Sequence, residues 1–476
     1  MKRVPVLVMI VCLLIYVGPP TTFVLAAGPS TSTAKSPTVP LCKSPYKKKS
    51  VPAKSLQALV RSHERWVEYR GNPDAKRVEL CQADLSRASL AGVNLERADL
   101  EGAVLRQTNL SKATLAQASL AGADLTKAIL EDSNLAGADL RRAQFTGAKL
   151  SRAIGDEAAL FDAVLIGATL REASFERAQL EGADLTAANL TDGNFTEAYF
   201  YGAILKDAVL VNVDFTSADL RRTVLTNANL SRANLQGTLL DHTQLDRAQL
   251  IEADLESAYL DEANLREASL KEAILRGADL RYANLQGANL QDTDLEGANL
   301  EEAVLVKTKV NSAKLPMAIL YHSVLDDADF RNAHLNRAVL IGAKGIRTNF
   351  ANCNLSEIYA PKSSFQQSQF TRANLDSASF VGADLHGSNF SDSDLTHANL
   401  QDTNLQEAIL AGADLNGAQL NSANLRGTNL RGTILSAVTG LTQAQLNAAC
   451  VDEQTKLPPG LSRPAPCSTL QQRAKP

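Results

Sequence analysis

From Leu80 to Leu435 every residue whose number is a multiple of five is apolar, except Gly155 and Gly345. Most are Leu or Phe, with Val310 and Ala360 the weakest of the rest. Two positions before each centre stands a small residue, nearly always Ala and otherwise mostly Ser, Thr, Val or Gly. The remaining positions are rich in Asp, Asn, Arg, Glu, Gln and Gly. The stretch EGADLTAANLTDGNF (181–195) shows the rhythm three times over, with centres at Leu185, Leu190 and Phe195. A helix cannot use such spacing, because five residues advance about 500 degrees and successive centres drift around the axis. A straight strand fails as well, since odd spacing alternates faces. A short strand followed by a corner satisfies it: small residue in, next residue out, centre in, and two residues to turn.

Right-angled corners close a coil after four such units, so residues twenty apart lie one above another. Phe175, Phe195 and Phe215 recur at that interval, as do Phe330, Phe350, Phe370 and Phe390. A three-sided coil stacks Phe350, Phe365 and Phe380 instead, and the longer ladders favour four sides. The repeating units ADLTK (123–127), ANLQG (283–287) and ADLNG (413–417) resemble the pentapeptide-repeat family, over about three quarters of the chain and without a break in frame. That resemblance implies an all-β solenoid, a right-handed quadrilateral β-helix of about 18 coils with short helical caps at both ends. At roughly 4.8 Å per coil it is a rod roughly 85 Å long. Gly155 and Gly345 interrupt the ladder of centres, so local distortions are expected there, and Pro361 falls on a corner, where a missing N–H matters little.

The flanks follow other rules. Residues 1–27 carry Lys2 and Arg3, an apolar run from Val4 to Val17, and small residues at Ala26 and Ala27, the pattern of a signal peptide. An uncleaved anchor is the alternative, although the run is short for a membrane span. Residues 28–54, rich in Thr, Ser, Pro and Lys, read as a disordered linker whose Lys47, Lys48 and Lys49 are a solvated charge run. Residues 55–79 read as an N-terminal helical cap that starts on Ser55 and turns Leu56, Leu59, Val60, His63 and Val67 to one side. The β-helix is assigned to 80–437, and a C-terminal cap and tail to 438–476. In the latter, Thr442 and Gln445 form a capping-box pattern that predicts a helix to about Cys450, followed by an extended segment. An exported chain keeps disulfides, and the expected pairs are Cys42 with Cys81 and Cys450 with Cys467. Cys353 takes a small inward position and is expected to be a buried, inert thiol.

No catalytic constellation emerges. His242, His322, His334, His386 and His397 fall on outward positions without metal-ligand spacing, and there is no phosphate loop or nucleophile elbow. The reading is therefore of a protein that is not an enzyme, with no cofactor, metal or small-molecule substrate. Charge adds one alternative. The chain's formal net charge is only −4, yet residues 80–435 hold 46 acidic and 31 basic residues. An acidic rod resembles the quinolone-resistance members of the family, DNA mimics that bind type II topoisomerase, a cytosolic target at odds with the leader. Outward aromatics give the second signal. Phe161, Tyr199, Tyr201, Tyr259, Tyr321 and Tyr359 all flank centres that are multiples of twenty, joined by Ile319, Val339, Ile341 and Val381, while Tyr282 is set apart. A four-sided coil gathers them on one side as a protein-contact face; outward strand positions favour such residues in any case. The expected role is an interaction rod or scaffold at the bacterial envelope, periplasmic or secreted. Its partner is an unidentified protein; nucleic acid is disfavoured, and a membrane is involved only if the leader is retained.

Overall fold

A computed structural model of the protein describes residues 42–69 and 76–464. The leader expected at 1–27, the linker before Cys42 and the expected disulfide partner Cys467 lie outside the described residues.

Each pentapeptide behaves as its residue types require. The small residue and the centre are buried, the residue between them lies on the outer surface, and the next two form a turn. Parallel bridges join residues twenty apart, from Glu79 with Asp99 to Gln419 with Thr439, so four pentapeptides make one circuit. Most backbone groups away from the exposed corners are thereby paired, as burial demands. Asp124 N–H donates down to Ala103 O (2.9 Å), Leu125 N–H up to Gln144 O (2.7 Å), and Ala128 N–H closes the turn on Leu125 O (2.9 Å). The outward Asp or Asn of the repeat does more than face water. Its Oδ1 accepts the N–H two residues on, as Asn189 does from Thr191 at 3.0 Å, which fixes the corner as an Asx turn. The second corner residue adopts the left-handed conformation, for example Arg97 at φ 60° and Asp132 at φ 59°.

The axis is filled by stacked centres. Phe330, Phe350, Phe370 and Phe390 form one pile with ring centroids 5.1, 5.0 and 4.5 Å apart. Phe175, Phe195 and Phe215 form another at 5.7 Å. The expected distortion is absent at Gly155, whose N–H still reaches Ser174 O (2.7 Å) and whose carbonyl still closes the turn from Ala158 N–H (3.0 Å). It is present at Gly345: the ladder bond to Ser364 O (2.8 Å) is kept, while the Ser368 hydroxyl enters the turn, accepting Thr348 N–H (3.1 Å) and donating to Gly345 O (2.7 Å). The Phe175 ring, one coil later, lies where a Cβ of residue 155 would stand, whereas at Gly345 that space is taken by the Thr348 hydroxyl with the Phe365 ring beside it. Where Thr replaces the small inward Ala, its hydroxyl donates to a main-chain carbonyl, as Thr108 does to Leu85 O at 2.8 Å. Cys353 is buried and does the same to Phe330 O at 2.8 Å.

Both ends differ from expectation in detail. The first helix, α1, spans Ala53–Glu68, shorter than the 55–79 assigned to the cap, and begins at Pro52 rather than at Ser55. Pro52 makes no side-chain cap, but its fixed φ of −60° suits the entry to a helix. Nor does the linker extend to 54. Lys49 O accepts from Asp84 N–H (2.9 Å) and Val51 N–H donates to Asp84 O (3.2 Å), adding a rung to the first coil. Cys42 and Cys81 are joined as expected, with Cα atoms 5.8 Å apart. At the other end α2 spans Gln443–Asn447 with the Thr442–Gln445 capping box in place, ending short of Cys450. The following segment is not merely extended: Cys450 bridges Asn429 and Lys456 bridges Ile434, continuing the ladders. Cys450 is disulfide-bonded. Gln445 Nε2 donates to Leu420 O and Ala423 O at 2.9 Å each, covering carbonyls that the last coil leaves open. No helix among the described residues is long and apolar enough to cross a membrane.

Candidate interaction face

One ladder of bridges runs Gln179, Tyr199, Asp219, Leu239, Tyr259, Asp279, Asn299, Ile319, Val339, Tyr359. These outward side chains therefore share one side of the solenoid, each pair of neighbours separated by about 4.8 Å. Tyr199, Tyr259 and Tyr359 are 46%, 49% and 45% exposed. Tyr201 stands on the corner bordering this face and is exposed too, whereas Phe161, Tyr321 and Ile341, on the same corner, are half-buried. The structure thus places all ten residues picked from the sequence on this side or on the corner that borders it. It corrects the separation of Tyr282, which follows Leu280 on that same corner, where its N–H donates to Glu301 O (2.9 Å).

Sequence reasoning missed the adjoining side. Ile204 and Val224 are bridged there, as are Val304 and Val324, just beyond the corner of Tyr201 and Tyr321. Their signal was present at centres five residues further on, but aromatics drew attention to one ladder alone. Polar groups frame the tyrosines. Arg221 pairs with Asp219 at 2.6 Å and Arg281 with Asp279 at 2.7 Å. The guanidinium groups of Arg221 and Arg222 each lie 5.9 Å from the Tyr201 ring centre, within cation–π range. Burial pushes the carboxyls of Glu181, Asp241 and Asp261 up from the usual range.

The remaining candidates make ordinary surface contacts or none that bear on chemistry. His242 lies 3.2 Å from Glu262 and His397 3.0 Å from Asp376, pairs between stacked coils. Burial pushes the Cys353 thiol up to about 12, so it carries no thiolate at neutral pH. Among the described residues no group of His, Cys, Asp and Glu is arranged to hold a metal ion.

Comparison with known proteins agrees with the repeat. The family model described as pentapeptide repeats matches residues 83–154, 228–320, 323–358 and 363–436, and a related one, pentapeptide repeat region, matches 168–245. No curated protein sequence matches the chain. Among solved structures, HetL from the cyanobacterium Nostoc, a pentapeptide repeat protein involved in heterocyst differentiation regulation, is 33% identical. That match covers 45% of this chain and 89% of HetL, with a TM-score of 0.24. A pentapeptide repeat protein of the Arabidopsis thaliana thylakoid lumen is 28% identical over 24% of this chain and 67% of its own, with a TM-score of 0.18. The plasmid-mediated fluoroquinolone resistance protein QnrB1 is 15% identical over 48% of this chain and 91% of its own, with a TM-score of 0.19. With its fivefold frame matched by the family models over more than half its length, this chain belongs to the pentapeptide-repeat family.

Proposed function

We propose that the protein is a non-enzymatic interaction rod of the cell envelope, a right-handed solenoid of about 18 coils, exported by its apolar leader and docking a protein partner on the tyrosine face. The observation that carries this reading is the single ladder uniting Tyr199, Tyr259 and Tyr359 with Ile319 and Val339 on an exposed side. Tyrosine supplies large contact area at small entropic cost, which is why such residues concentrate where proteins bind. Replacing Tyr199, Tyr201 and Tyr259 together by Ser should shift the unfolding temperature by no more than about 2 °C, because none fills the core. It should weaken partner capture by about tenfold or more. Unchanged capture removes the face from consideration. Cell fractionation with N-terminal sequencing of the mature chain tests the envelope assignment.

The acid excess of the repeat, 46 acidic against 31 basic residues in 80–435, supports a second reading, a DNA mimic that inhibits or protects a type II topoisomerase. A supercoiling assay with the mature chain separates the two. Inhibition or protection at stoichiometric protein favours the mimic, and no effect leaves the envelope rod.

A further inference from the structure

The open end of a β-solenoid presents unpaired N–H groups, and α1 closes one of them with a histidine. His63 lies fully buried on the inner side of α1, beside Leu56 and Val60. Its Nδ1 accepts the N–H of Val78 at 3.1 Å. Val78 leads into the first coil, and its own carbonyl accepts from Asp99 N–H at 3.0 Å. The ring must therefore be the neutral tautomer with its proton on the buried Nε2. A second α1 side chain makes a longer contact of the same kind, Glu64 Oε1 with Asn94 N–H at 3.5 Å. Trp66, the only tryptophan of the chain, stacks on His63 with ring centroids 5.5 Å apart.

We propose that His63 is an acid-sensitive latch: a proton on Nδ1 turns the acceptor into a donor facing Val78 N–H, and α1 lifts from the first coil. The groups facing the ring pull in both directions. Burial acts most strongly and holds the pKa below the ordinary histidine value of 6.5; a hydrogen bond to the Glu96 backbone opposes it, Arg77 adds to it, and the Glu64 and Glu96 carboxylates oppose it. The sign follows from linkage. A histidine whose pKa is depressed in the closed state favours closure fully above about pH 6.5 and loses that advantage progressively as pH falls below it. Opening stays local. The Cys42–Cys81 bond and the Asp84 rung hold residues 42–51 in place, so α1 is tethered and can close again. While it is open, Val78 N–H is an uncapped edge beside the exposed end of the core.

Trp66 fluorescence of the whole protein, followed from about pH 7.5 to about pH 5, reads the latch directly. The expected result is a reversible transition with its midpoint below 6.5, absent in His63→Gln, whose amide oxygen accepts from Val78 without titrating. Arg77→Gln should raise the midpoint. Hydrogen exchange of the unmutated protein provides a check that does not depend on any variant folding. After correction for intrinsic rates, Val78 N–H should lose about tenfold or more of its protection at acid pH, while Leu185 N–H keeps its own. The latch is overturned by a transition that survives in His63→Gln, by a midpoint unmoved in Arg77→Gln, or by a Val78 amide equally protected at both ends of the range.

Discussion

At the residue scale the inward positions are governed by volume and by hydrogen bonding, in that order. Gly155 looks like a defect in the sequence, yet it is half of a pair: the Phe175 ring occupies the room that a side chain at 155 would need. Gly155→Leu should destabilise the fold by about 2 kcal/mol through overpacking. Adding Phe175→Leu should recover most of that loss, which denaturant titration of both variants can measure. Ser133 is the contrary case. Its hydroxyl is buried without a partner, unlike that of Thr108 or Thr238, each of which reaches a carbonyl. Ser133→Ala should therefore stabilise the protein by about 1 kcal/mol. Cys353 was legible as a buried thiol from its place in the frame. Its bond to Phe330 O was not, because nothing in the one-dimensional pattern says that a thiol will copy threonine. A thiol reagent should leave it unmodified until the chain is unfolded.

At the element scale the repeat unit was readable and the caps were less so. Spacing alone dictates a strand and a corner, and the unbroken frame dictates that every unit obeys. The Asx turn behind the Asp and Asn preference was hidden, since both residues also suit a wet surface. The ends obey no period, so only local signals serve there. The capping box at Thr442 is such a signal and was correctly placed. Ser55 was a false one, because Pro52 already starts the helix. The N-terminal rung rests on the Cys42–Cys81 bond, which closes a loop 39 residues in sequence separation. Reduction should weaken this end by about 2 to 4 kcal/mol on a chain-entropy view. Faster exchange of the Asp84 and Val51 amides, with the interior coils unaffected, is the expected signature.

At the scale of the whole molecule the twenty-residue circuit decides which side chains meet. Aromatics at Tyr199, Tyr259 and Tyr359 are far apart in sequence and share a face only because their separations are multiples of twenty. Deletion of residues 221–240 should keep the fold and the face, bringing Tyr259 nearer to Tyr201 by one coil. Deletion of residues 226–230 should also fold, since one pentapeptide leaves the frame intact, but it rotates everything beyond by one side. Partner capture should survive the first deletion and fall about tenfold in the second. The neighbouring aliphatic side was also written in the sequence, at centres five residues further on, but Ile204 and Val224 join the face only through the corner beside Tyr201, which the structure supplies.

The same architecture dictates how the protein yields to a mechanical load. Ladder bonds join only successive circuits, each separated by twenty residues, so tension applied at the two termini peels them off singly instead of shearing many at once. Each rupture should lengthen the tether by about 65 Å, the reach of an extended twenty-residue segment less its former rise. An optical trap should therefore record a staircase of near-equal steps, and the intact Cys42–Cys81 bond should withhold the length of the loop it encloses until a reductant is added.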